Sequence, residues 1–162
     1  PTHLRWQTLT FPITRVAMRG LVTIGGFSAG AIEPLITTPN YWLRLNAART
    51  LGAIGELSHA VTPSIIRMTQ DSDAWIRAQA CFGLGRNSSS DASEAIQSLT
   101  DRMEDSDLCV RAEAWNALRK LGANRNESGS SLVSELYLDL CAPDHNKCAR
   151  AAMTLGHLGS VA

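Results

Sequence analysis

The hydrophobic positions of the chain fall into short blocks with helical spacing, and the blocks repeat. Val110, Ala114 and Leu118 stand four residues apart, as do Ile76, Ala80 and Leu84, and Leu43, Ala47 and Leu51. That interval puts each trio on one face of a helix. The blocks centred on Ala47, Ala80 and Ala114 are separated by 33 and 34 residues. Self-similarity at such a period predicts stacked helical units, an α-solenoid, because one unit cannot cover its own apolar face.

Polar punctuation sets the boundaries. Asp73 and Asp107 each precede an apolar-periodic run, where a carboxylate accepts from free backbone N–H groups, and Asn40 takes the same place one copy earlier. Residues 1–11 read as an arm or the tail of a preceding unit. A solenoid over 12–162 follows, with copies at about 12–37, 38–70, 71–104, 105–141 and 142–160. In the degenerate first copy Pro12 opens a helix carrying Ile13, Val16 or Ala17, Leu21 and Ile24, and the glycine-rich stretch from Thr23 to Gly30 is an inter-helix turn. Second helices are expected at Ala29–Ile36, Val61–Gln70, Ala92–Met103 and Ser131–Cys141. The last copy aligns on Ala151, which places Cys148 where the other copies carry arginine and leaves Arg150 as an extra cation. Because the chain starts without Met and its final helix is expected to expose Leu155 and Leu158, a fragment of a longer protein is expected.

Composition narrows the function. The 44% hydrophobic and 19% charged content is that of a soluble globular chain. Fifteen basic residues balance fifteen acidic ones, which removes the summed field that draws a protein to nucleic acid or an anionic membrane. With no apolar run of membrane-spanning length and no basic-plus-apolar leader, neither a membrane span nor a signal peptide is expected. Cys81, Cys109, Cys141 and Cys148 follow no disulfide framework, so a reducing, cytoplasmic setting is expected. The motifs G-x-G-x-x-G, G-x4-G-K-[ST], G-x-S-x-G and H-E-x-x-H are absent, and no catalytic residue or cofactor is assigned.

The blocks resemble the first helix of HEAT-like repeats, D-x-D-x-x-V-R-x-x-A-x-x-x-L-G. Asp71, Asp73, Ile76, Arg77, Ala80, Leu84 and Gly85 match it, as do Asp105, Asp107, Val110, Arg111, Ala114 and Leu118, with Arg119 where glycine is usual. Thr38 to Gly52 lacks both aspartates, and the resemblance spans about residues 12–160. It implies an all-α, right-handed superhelix of four to five hairpins, with second helices lining a concave partner face. Ile32, Ile65, Leu99 and Leu136 form one buried row, and Ala29, Thr62, Ile96 and Val133 another. The outward rows hold Glu33, Arg67, Asp101, Arg102, Glu135, Tyr137 and Asp139, whose mixed charge suits other proteins or further repeats of the same chain.

The resemblance also implies a structural ladder in which Arg44, Arg77 and Arg111 pair with aspartates of adjoining turns, drawn from Asp71, Asp73, Asp105 and Asp107, because a planar guanidinium suits repeated carboxylate contacts. The fixed alanine is expected to allow close helix approach, and the repeat glycine to end its helix at positive φ. Trp42 and Trp75 share a position, serving either as a partner contact or as covers of their repeat junctions, and Trp115 is expected to face the core. Cys141, Asp144, His145 and Cys148 cluster within eight residues, but C-x3-H-x2-C is not a zinc spacing, and no metal is assigned. The expected function is a non-catalytic protein-interaction scaffold. Two alternatives stay open: a phycobilin-lyase-like protein acting on a chromophore-bearing protein, and a nucleic-acid-binding HEAT-like domain.

Overall fold

The computed structural model describes residues 20, 29–55, 59–86, 93–123 and 129–159. Within them the chain runs α1 (Ala29–Ile32), a 3-10 turn (Glu33–Ile36), α2 (Tyr41–Gly55), a 3-10 turn (His59–Val61), α3 (Thr62–Met68) and α4 (Ala74–Leu84). It continues through α5 (Ser93–Arg102), α6 (Leu108–Lys120), α7 (Gly129–Leu140) and α8 (His145–Leu158), with no strand among the described residues. The helix expected over Ile13 to Ile24 lies outside them except for Gly20, which is helical, and the arm at 1–11 and the turn at 87–91 lie outside them altogether.

Helix starts follow the predicted chemistry. Asp73 accepts from the N–H groups of Trp75 and Ile76 at 2.9 and 3.2 Å, and Asp107 from those of Cys109 and Val110 at 2.9 and 3.3 Å. Asn40 and Asp144 do the same for α2 and α8. Each cap of this kind is worth about 1 kcal/mol.

The first helices α2, α4, α6 and α8 stack in chain order, and α3, α5 and α7 each pack on the first helix that follows. Ile32, Ile65, Leu99 and Leu136 are all buried where the second helices meet this layer, each contributing roughly 1.5–3 kcal/mol. Thr62, Ile96 and Val133 are half-buried beside them. In the first helices Ala47, Ala80, Ala114 and Ala151 are buried, with Ile76, Val110, Leu51 and Leu84 filling the turns around them.

Two expectations are corrected. The repeat glycine does not provide a left-handed turn: Gly85 has φ −68°, and Gly52 lies inside α2. Among the described residues positive φ belongs to Gly122 and Gly159. The repeat glycines serve contact instead. A Cβ on Gly83 would sit 2.8 Å from the Gly52 Cα, and one on Gly85 would sit 2.7 Å from the Ala117 Cα, so neighbouring first helices touch backbone to backbone. Leu158 is also not exposed. The Asn116 amide donates to the His157 carbonyl at 3.1 Å and draws the last turn of α8 onto α6, leaving Leu158 buried and Leu155 half-buried. Met153 is the large apolar residue that α8 exposes.

No helix among the described residues is long and apolar enough to cross a membrane. Gly83→Ala is expected to lower stability by about 1–3 kcal/mol, through overpacking against Gly52. Gly156→Ala, in open space inside α8, is expected to raise it by up to about 1 kcal/mol. Urea-unfolding midpoints check both, and an unchanged midpoint for Gly83→Ala would contradict the backbone contact.

Candidate functional site

The ladder is built from the turn outward. Arg44 sends Nη1 to the carbonyls of Thr38 and Pro39, six and five residues back, and Arg77 and Arg111 repeat this on Asp71 and Ser72 and on Asp105 and Ser106. The remaining nitrogens reach the next copy. Arg44 Nε lies 2.9 Å from Asp71, and Arg77 grips Asp105 with Nε at 2.8 Å and Nη2 at 2.7 Å. Asp71 and Asp105 also accept from the N–H groups of Asp73 and Asp107, so the carboxylate that joins two copies also shapes the turn before the capped helix. Asp73 and Asp107 themselves serve as caps.

The last junction departs from this plan. Ala142 stands where Asp71 and Asp105 stand in earlier copies, and Arg111 turns to Glu135 at 3.6 Å. Cys148 takes over the carbonyl half of the arginine's role, its thiol donating to Leu140 and Ala142 at 2.8 and 3.2 Å. Arg150 reaches back to Asp107 at 3.9 Å, and Lys147 pairs with Asp139 at 2.8 Å. A groove of about 560 Å³ opens here between the start of α6, α7 and the start of α8.

On the second-helix face Arg67, Asp101, Glu135 and Tyr137 are exposed, while Glu33, Arg102 and Asp139 are half-buried. Glu33 is held by Arg67 and Ser64, Arg102 leans to Asp105 at 3.4 Å, and Asp101 accepts from Gln97. Leu138, which sequence reasoning did not single out, is 75% exposed beside Tyr137 at 53%. The tryptophans of the shared row separate: Trp75 is buried and Trp42 is 53% exposed. Trp115 is buried against Gly129, where a Cβ would run into the indole.

Sequence reasoning also missed a clasp between α6 and α8. Glu113 is fully buried, and its Oε1 lies 2.6 Å from Nδ1 of His157, whose ring stacks on Phe82 with centroids 3.8 Å apart. Burial pushes the Glu113 carboxyl above its ordinary range, partly offset by His157. With no exposed surface of its own, Glu113 serves packing rather than a substrate. Its signal was the polar row Asn46, Gln79, Glu113 and Arg150, each just before the fixed alanine. Burial likewise raises the buried Cys109 thiol to about 11.

An all-helical stack of hairpins joined by carboxylate–guanidinium contacts defines an α-solenoid. Residues 62–141 match the family of HEAT repeats, and the chain is a HEAT-like repeat protein. Its fold resembles a chain from the complex of CpcE and CpcF of phycocyanin lyase from Nostoc sp. PCC7120, with TM-score 0.60, 20% identity, and coverage of 87% of this chain and 88% of that one. No curated protein matches the chain in sequence.

Asp105 carries the pH dependence of the ladder. Burial alone would raise its carboxyl, but Arg77, the Asp107 N–H and Arg102 outweigh burial and hold it below the ordinary aspartate range. Its stabilisation is therefore present at neutral pH and lost as pH falls below the ordinary aspartate value toward the lowered native one. Asp105→Asn is expected to lower stability at neutral pH by about 3 kcal/mol, as loss of a buried partner does. The gap to the parent should narrow as pH falls below about 4 in urea titrations. A gap independent of pH would contradict this reading.

Proposed function

We propose that the chain is a non-catalytic scaffold segment of a larger protein, which holds a protein partner on the concave face formed by its second helices. The observation that supports it best is the exposed pair Tyr137 and Leu138 on α7, flanked on the same face by Arg67, Asp101 and Glu135. An exposed aromatic beside an aliphatic, rimmed by charge, is the composition of a protein-binding surface. The zero net charge fits a protein partner better than nucleic acid. The unpaired cysteines fit a reducing, cytoplasmic setting.

The likeness to a chain of the CpcE–CpcF complex favours a second reading, a lyase-type subunit whose protein partner carries a chromophore. In both readings the second-helix face meets a protein. They differ in whether a pigment accompanies it.

The test is capture from a nuclease-treated native lysate with the parent chain and with Arg67→Glu/Tyr137→Ala, recording visible absorbance of the eluate. Protein retained by the parent and lost at least about tenfold by the variant supports the scaffold. A coloured eluate favours the lyase-type reading. Equal retention by both forms overturns the proposed face.

A further inference from the structure

We propose that the groove between α6, α7 and the start of α8 docks a basic segment of a partner protein, a cationic side chain meeting its carboxylates and an aliphatic neighbour covering Leu138. This rests on the scaffold reading and names the chemistry of the partner at one end of that face.

The groove lies at the junction where the ladder stops. At the two earlier junctions an aspartate grips the preceding arginine from the next copy, as Asp71 does Arg44 and Asp105 does Arg77. At this junction Ala142 offers no carboxylate and the thiol of Cys148 reaches only local carbonyls. The space of about 560 Å³ at this junction is of the size that holds a small ligand or a few side chains.

Its lining selects the occupant by charge. Asp107, Glu135, Asp139 and Asp144 face it, against Lys147 and Arg150. Both cations are already engaged, Lys147 with Asp139 at 2.8 Å and Arg150 with Asp107 at 3.9 Å. Glu135 is in turn held by Arg111 at 3.6 Å from beside the lining, so one carboxylate, Asp144, remains in excess of the cations. Asp107 and Asp144 each use Oδ1 on their caps, and an ionised carboxylate has about four acceptor sites to offer. An entering guanidinium or ammonium finds acceptors, whereas an anionic segment meets excess negative charge. Leu108, Cys109 and Leu138 supply the apolar part, and the 75% exposure of Leu138 leaves its side chain open to cover.

The probe is a short fluorescein-labelled peptide of alternating leucine and arginine, with its leucine–glutamate counterpart as control, titrated by fluorescence anisotropy at low and physiological salt. The arginine peptide should bind and weaken with salt, and the glutamate peptide should not bind. Leu138→Arg, at a position where folding makes no demand, should weaken the arginine peptide at least about tenfold. Lys120→Glu, a charge reversal at the far end of α6 from the groove, should leave it unchanged. Equal binding of both peptides, or undiminished binding to Leu138→Arg, overturns the groove. The two proposals fail separately: lysate capture that still depends on Arg67 and Tyr137 would leave the wider face standing after the groove had fallen. Leu138-dependent peptide binding with no protein captured would support the groove while the scaffold fell.

Discussion

Each regular junction of this stack depends on a guanidinium held from two sides. Its Nη1 closes on two carbonyls of its own turn, and its other nitrogens close on an aspartate of the next copy, as in Arg77 between Asp71, Ser72 and Asp105. Removing such charges from water costs several kcal/mol unless the donors are met, and here four of the five N–H groups of Arg77 find acceptors. The same carboxylate accepts from the N–H of Asp107, whose side chain caps the following helix. Junction spacing, turn shape and helix start are thus tied to one residue, and the backbone contact of Gly52 with Gly83 is kept at the distance that only glycine permits.

Hydrophobic burial drives the stacking, but it is not directional. The isoleucine and leucine rows would tolerate some slip between copies, whereas a bidentate fork would not. That distinction explains why the stack persists at the last junction, where the fork is absent. Ala151, Thr154 and Leu158 remain buried there, and Glu113 with His157 ties α8 to α6 by a different route. The groove and the exposed Tyr137 and Leu138 fall on the same helix, which places the proposed partner chemistry at the least regular part of the stack.

Much of this was legible in the sequence because it recurs. The alanine-centred blocks, the caps at Asp73 and Asp107 and the pairing of Arg44 and Arg77 with aspartates of adjoining turns repeat at a fixed interval, so each copy supports the next. What recurs only once was hidden. Glu113 and His157 lie 44 residues apart, and no local pattern announces their meeting. Leu138 reads as an ordinary apolar position of a helix until its neighbours are seen to leave it uncovered. The repeat glycine was assigned to turning when its use is contact, because the absence of a side chain serves both.

The most direct test of this account is a pair of double-mutant cycles by urea unfolding, one on Arg77 and Asp105 and one on Arg111 and Glu135. The ladder account predicts a coupling of about 1–3 kcal/mol for the first pair, whose partners contact directly. For the second, half-exposed pair it predicts no more than about 1 kcal/mol. Equal couplings in the two cycles would show that the bidentate junction is no stronger than the irregular one, and would contradict the account.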